Sequence, residues 1–343
     1  MKKRALFIIK ERVVYGTKTK AYGLFNSCKF VAKTLKENDI EAEVIQVVDN
    51  NCIDKHVSRF KPTHCFIEAI WVVPSKFEVL AKLHPKVNWI IRIHSMVPFL
   101  TSEGMAYEWL NKYNELRKKG IKISISCNNI NMHKDMKSIY GDNISYTPNI
   151  YHPDINTKPE EHFNFEKLKD DLHIGCFGAL RVLKNHTQQA HWAIEFADKI
   201  KKKLFFHVNV SEHEQREAGP VLSNLRSIFE NTNHNLVEHL WHDHIDFMEL
   251  VKNMDMGMQI SFSETFNIVA ADFVSCGIPI VTSKDIKFVN CLSAVNSSER
   301  KKVINALYIA YYGRIFGLHR INDILLIIHN EKAKKAWLDF FKQ

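Results

Sequence analysis

Two carboxylates eight residues apart, Glu264 and Asp272, mark the stretch of this sequence best suited to chemistry: Ser261-Phe262-Ser263-Glu264-Thr265-Phe266-Asn267, followed by the apolar run Ile268 to Ser275. A strand, Met256 to Ile260, precedes it, and the pattern predicts a helix over 266–275 that opens at the strand's carboxyl end. The first backbone N–H groups of such a helix lack internal partners and attract anions. Eight residues is about two helical turns, which would put both acids on one side, Glu264 at the helix tip and Asp272 deeper. A carboxylate at the tip can accept bonds from sugar hydroxyls, and the deeper one from ribose hydroxyls. A buried core helix with a polar cap has the same pattern, so spacing alone leaves both readings open.

Other residues invite the same question. A strand over 172–177 runs into Gly178-Ala179-Leu180-Arg181-Val182-Leu183-Lys184-Asn185, where Arg181 and Lys184 could neutralise a phosphate or simply be surface cations. Trp89 to Ile93 reads as a strand ending at His94, and Glu68 ends another, where it could face a ligand, cap a helix or pair at the surface. His239, His242 and His244, with Asp243, cluster before a helix; a metal site needs converging ligands, and this connecting loop reads as polar surface, so no metal is expected. The seven cysteines form no C-x-x-C pair, no Gly-x-x-x-x-Gly-Lys-Ser/Thr loop is present, and no Ser or Cys sits in a nucleophile elbow. A disulfide framework, a zinc ribbon and an ATPase-type phosphate loop are thereby unsupported.

The stretch from Ser261 through Gly277-Ile278-Pro279-Ile280-Val281 resembles the signature of retaining glycosyltransferases of the GT-B fold, family 4-like: a Glu, seven residues, a second Glu, then Gly-x-Pro-x-Val. Asp272 stands here in place of the second Glu, a departure that bears on donor choice. The resemblance implies donor contacts by Arg181, Lys184, Ser263, Glu264, Thr265, Phe266, Asn267 and Asp272, catalytic roles for His94 and Glu264, and a domain-closing turn at Tyr146-Thr147-Pro148-Asn149-Ile150. It covers roughly residues 1 to 290, strongest over 172–282, and looks most like the phage-encoded branch. It implies a nucleotide-sugar co-substrate, UDP-linked by family habit, and no further cofactor or metal. It also implies retention of configuration, by a same-face displacement that the leaving phosphate assists.

The elements that must position these residues alternate. Strands are expected at Ala5–Ile9, 42–48, 64–69, 89–94, 122–126 and 145–147, with helices over 23–38 and 76–83 among them. A polar segment, 151–171, reads as a linker. Strands at 172–177, 204–210, 235–238, 256–260 and 278–282 then alternate with helices over 187–202, 220–230, 245–253 and 266–275. This order predicts an α/β protein of two Rossmann-like domains facing across a cleft: 1–155, acceptor-binding; a linker, 156–171; 172–315, nucleotide-sugar-binding; and a helical tail, 316–343, whose Trp337, Phe340 and Phe341 should pack back on a domain.

Charge is lopsided. Residues 1–150 hold 24 Lys and Arg against 14 Asp and Glu, whereas 151–343 hold 23 against 24, so the net +9 sits in the first half. The segment Lys10 to Tyr22 reads as a loop that interleaves Lys10, Arg12, Lys18 and Lys20 with Tyr15 and Tyr22, cations for phosphates and rings for bases. These six are the expected acceptor contacts. Double-stranded DNA carrying a flipped 5-hydroxymethylpyrimidine is the expected acceptor. A lipid-linked or surface glycan beside an anionic membrane is an alternative, and a non-catalytic binder of the same fold is another. No protein partner is implied. Composition, with 45% hydrophobic residues and no apolar run of membrane-spanning length, fits a cytoplasmic protein, in a host cytoplasm if phage-encoded.

Overall fold

Runs such as Ala5-Leu6-Phe7-Ile8-Ile9 are apolar at every position, and a strand with no polar side must be covered on both faces. That requirement is met twice in the computed structural model, which describes residues 2–14, 17–19, 22–102, 104–152, 171–210 and 218–342. The chain divides into two compact units, Met1–His152 with Asn330–Gln343, and Pro153–His329.

In the first unit the elements run β1 (Arg4–Lys10), β2 (Arg12–Val14), β3 (Thr17–Thr19), α1 (Tyr22–Lys36), β4 (Glu41–Val47), α2 (Ile53–Phe60), β5 (His64–Glu68), α3 (Pro74–Leu83), β6 (Asn88–Ile93), α4 (Val97–Leu100), α5 (Ala106–Lys118), β7 (Ile123–Cys127), α6 (Ile130–Tyr140) and β8 (Ile144–Tyr146). The sheet has the order β4-β1-β5-β6-β7-β8, with every pair parallel. One face packs Leu6, Ile8, Ile67, Trp89 and Ile91; the other packs Phe7, Phe66 and Ile90.

The second unit contains β9 (Leu172–Gly175), α7 (His186–Lys199), β10 (Leu204–Asn209), α8 (Ala218–Glu230), β11 (Asn235–His239), α9 (His244–Lys252), β12 (Met256–Gln259), α10 (Ile268–Ser275), β13 (Ile280–Ser283), β14 (Ala294–Val295) and α11 (Arg300–Gly313). Its sheet runs β11-β10-β9-β12-β13-β14, again parallel throughout. In both sheets the strand order reverses direction beside the first strand, the topological switch point where open α/β sheets take ligands at their carboxyl ends.

Two expectations are corrected here. Residues 10–22 are not one loop: β2 and β3 pair antiparallel as a hairpin, Lys10 ends β1 and Tyr22 opens α1. Nor do residues 316–343 form a separate tail. The last helix, α12 (Ile321–Lys342), belongs to the second unit up to His329 and to the first unit beyond it. There Trp337 is fully buried against Phe7 and Phe66, and its indole N–H donates to the Pro148 carbonyl at 2.7 Å, which gives a buried polar atom its partner. No helix among the described residues is long and apolar enough to cross a membrane.

Candidate functional site

Helix α10 lies unusually close to its sheet because two strand positions opposite it carry no side chain. A Cβ on Gly257 in β12 would stand 2.8 Å from the Phe273 ring, and one on Gly175 in β9 would stand 2.5 Å from Phe177 and 2.7 Å from Phe273. This approach fixes the turn between β12 and α10. Asn267 caps the helix, its Oδ1 accepting the Ala270 N–H at 2.9 Å. Glu264 therefore lies in the turn three residues ahead of the cap and not at the helix tip, which corrects the expected placement.

Around Glu264 the polar groups converge. The Lys184 ammonium, the Ser261 hydroxyl at 3.1 Å and the Asn267 amide at 3.1 Å all donate to its Oε1. The same Asn267 amide reaches Gln259 Oε1 at 2.7 Å, and Gln259 donates in turn to the Phe177 carbonyl at 2.8 Å. The loop that brings Lys184 is pinned separately. Asn185, in the left-handed region at φ 61°, donates to the Ile260 carbonyl at 3.1 Å, Gln189 bridges the Ile260 N–H and the Lys184 carbonyl, and Phe262 N–H bonds the Leu183 carbonyl. Gly178, at φ 108°, makes the turn out of the strand that only glycine accepts without strain, and its N–H meets Asn209 Oδ1 at 2.9 Å. The result is a cation and a carboxylate at the carboxyl ends of β9 and β12, held by buried amides. Glu264 is 8% exposed, and half-buried Arg181 belongs to the same loop.

Other expected donor residues fall around this centre. Ser263 and Thr265 flank Glu264 in the turn, half-buried, and the Phe266 ring packs on Phe288 and His329. Asp272 is buried within α10 and accepts from His244 Nε2 at 2.8 Å, which ties it to the start of α9. His244 is thus paired with a buried carboxylate and is not simply polar surface. His239 joins instead a file of imidazoles across three strands, His173 to His207 at 3.0 Å and His207 to His239 at 2.8 Å. Burial, with the neighbouring imidazoles, pushes His207 down to about 3. Among the described residues no group of three or more His, Cys, Asp or Glu could hold a metal ion.

The first unit carries a second network. Glu68 ends β5 fully buried, neither a cap nor a surface pair; Arg92 Nη1 bonds it at 3.0 Å and His94 Nε2 bonds it too. Arg92, equally buried, also donates to Asn149 Oδ1 at 2.6 Å and the Thr147 carbonyl at 3.0 Å, so the Pro-Asn turn is tied to β6 through it. Burial pushes the Glu68 carboxyl up, but the Arg92 guanidinium and His94 outweigh it and hold it below the usual range. His94 is itself lowered, chiefly by burial. With Glu68 ionised, Nε2 of His94 carries the proton, and Nδ1 accepts from the Asn128 amide at 3.3 Å. Sequence reading missed Arg92, Asn128 and Gln189. A charge in mid-strand, Ile90-Ile91-Arg92-Ile93, was the available signal for the first.

Of the expected acceptor contacts, Tyr15 and Lys20 lie outside the described residues. Arg12 and Lys18 are on the β2–β3 hairpin, Tyr22 opens α1, and Lys10 is exposed at the end of β1.

The fold is the two-domain α/β fold of the GT-B glycosyltransferases. Solved structures similar to this chain include the trehalose-6-phosphate synthase OtsA, at 12% identity and a TM-score of 0.69 over 98% of this chain and 99% of that one. An E. coli structure described as trehalose-6-phosphate bound with UDP-2-fluoro glucose is similar at 11% identity and a TM-score of 0.67, over 99% of each chain. HepE of Anabaena, in complex with UDP and glucose, is similar at 12% identity and a TM-score of 0.63, over 97% of this chain and 98% of that one. No protein-family model matches the chain, and no curated protein sequence matches it.

Proposed function

We propose that the chain is a retaining glycosyltransferase that takes its sugar from a nucleotide-sugar donor, UDP-linked, bound at the carboxyl edge of the second sheet. The observation that carries this reading is the Lys184–Glu264 pair with Ser261 and Asn267 gathered on one carboxylate oxygen. Glu264 Oε2 receives none of those three donors and suits a sugar hydroxyl. Lys184 has three protons and needs one for Glu264, so it can also meet a diphosphate, with Arg181 from the same loop sharing the charge. Fixed cations favour departure because negative charge gathers on the phosphate as the bond from the anomeric carbon breaks. The acceptor oxygen bonds to that carbon on the same face, and its proton passes to the leaving phosphate oxygen. His94, whose Nε2 meets Glu68, is kept as the catalytic residue of the first unit that the resemblance implies. Fold neighbours crystallised with UDP-2-fluoro glucose or with UDP and glucose support the donor class. The family 4-like placement and its phage-encoded branch rest on the run Glu264 to Val281 and on the lysine-rich first half.

For the acceptor we propose a 5-hydroxymethylpyrimidine in DNA, supported by the surplus of ten cations within residues 1–150. Incubation with a panel of nucleotide sugars and duplex DNA containing 5-hydroxymethylcytosine or 5-hydroxymethyluracil, followed by nucleoside mass spectrometry, tests both parts. A hexose or pentose increment that is lost in Glu264→Gln is the expected result. Nucleoside diphosphate release without an increment would move the acceptor to a glycan. Absence of both, with donor still bound, would make the protein a binder.

A further inference from the structure

Helix α12 carries an apolar face that points out of the protein. Ile321, Ile324, Ile327 and Ile328 are all exposed, Ile324 at 60% and Ile327 at 61%, while Asn322 and Leu326 on the other side are buried. At 100° per residue the four isoleucines share one third of the helix circumference. Phe316, five residues ahead of the helix, is 80% exposed. Together these five side chains show roughly 500 Å² of apolar surface, above what a monomer ordinarily leaves open and a large part of the roughly 800 Å² that one partner gives to a stable interface.

We infer that a second copy of the chain covers this face, with α12 packed antiparallel on α12 about a two-fold axis between Ile324 and Ile327. The charges select the arrangement. Ile324, Ile327 and Glu331 follow one another along α12 at steps of three and four residues, and Arg320, which ends the 3-10 turn Leu318–Arg320 directly ahead of the helix, stands four residues before Ile324, so the ridge has a cation at one end and an acid at the other. An antiparallel two-fold sets Arg320 of each copy opposite Glu331 of the other; a parallel pair would oppose like charges. Arg320 also bonds Asp323 in the first turn of α12 at 3.2 Å, which ties the guanidinium to the start of the helix. Lys332, Lys334 and Lys335 follow Glu331 on the same helix, so an anionic lipid surface is the competing occupant that the vesicle arm of the test reads. A two-fold pairing is isologous and closes at a dimer.

Sedimentation velocity of the full chain across a wide concentration range tests this. The expected result is a reversible dimer, weakened about tenfold or more by Ile324→Asp, an exposed position whose substitution leaves the circular dichroism and thermal midpoint unchanged. Arg320→Glu weakens it by a smaller factor, and the exchange Arg320→Glu with Glu331→Arg restores it, which a merely hydrophobic or parallel contact would not. A monomer at every concentration, or a dimer indifferent to Ile324→Asp, overturns the inference. Flotation of a monomeric chain with phosphatidylglycerol–phosphatidylcholine vesicles also overturns it and gives the face to lipid.

Discussion

Each unit holds a carboxylate against a cation at or just beyond the carboxyl end of a parallel strand, yet the two pairs differ in their surroundings. Glu68 and Arg92 are both 0% exposed, and the guanidinium is spent on three oxygens around it. Glu264 and Lys184 are 7% and 29% exposed at the side chain, and the ammonium can exchange one partner for another. A planar fork fixed on all sides builds a frame; a flexible point charge at a rim binds and releases. Burial, and not the presence of an ion pair, separates the architectural network from the one proposed to meet a ligand.

The sharpest way to break this contrast is Arg92→Ala. It strands a buried carboxylate and is expected to cost about 3–5 kcal/mol in urea unfolding, while Glu68→Leu with Arg92→Met recovers a substantial part. A loss below about 1 kcal/mol would place the first pair with the second. Glu264→Gln reverses the pattern: sugar transfer should fall about 10²- to 10³-fold with stability changed by less than about 1 kcal/mol. Unchanged turnover would remove Glu264 from the chemistry.

Acid supplies a third test, on the second unit. His186 and His207 are pushed down to about 3, chiefly by burial, so the folded chain keeps them neutral while the unfolded chain protonates them below about 6.5. Stability is then full above about pH 6.5 and falls as pH drops through that value, by up to about 2 kcal/mol per imidazole at pH 5. A thermal midpoint that stays flat from pH 7 to pH 5 contradicts this. The smallest effect is expected for His244→Asn, which loosens Asp272 and should raise the donor KM a few-fold, under about 1 kcal/mol, with kcat unchanged. A fall in kcat at constant KM would mean that Asp272 is held for the reaction and not for the donor.

Alternation of strands and helices was legible in the sequence because strands covered on both faces are largely apolar: Ala5–Ile9 is so at every position, and Met256–Ile260 at every position but Gln259. The burial of Trp337 and Phe341 was legible for the same reason, since three large rings near the end of a polar helix need a core. Of the candidate site, the residue types were readable and their pairings were not. Lys184 meets Glu264 across 80 positions, and His244 meets Asp272 across 28, distances over which no periodicity operates. The β2–β3 hairpin escaped notice because Arg12-Val13-Val14 and Thr17-Lys18-Thr19 are too short and too polar to alternate visibly. Arg92 was hidden by its setting inside an apolar strand, though it is the peg on which the Thr147–Asn149 turn hangs.

The seat of Trp337 has a bearing on how the molecule is born. Phe7, Phe66 and Ile90 emerge from the ribosome early, but the ring that seals them is made only after the whole of Pro153–His329 has been synthesised. At 5–20 residues per second that interval is roughly ten to forty seconds, during which the nascent first unit carries an open greasy wound. A core left open until the last helix is made is the consequence of a first unit whose final segment is encoded after the whole of the second.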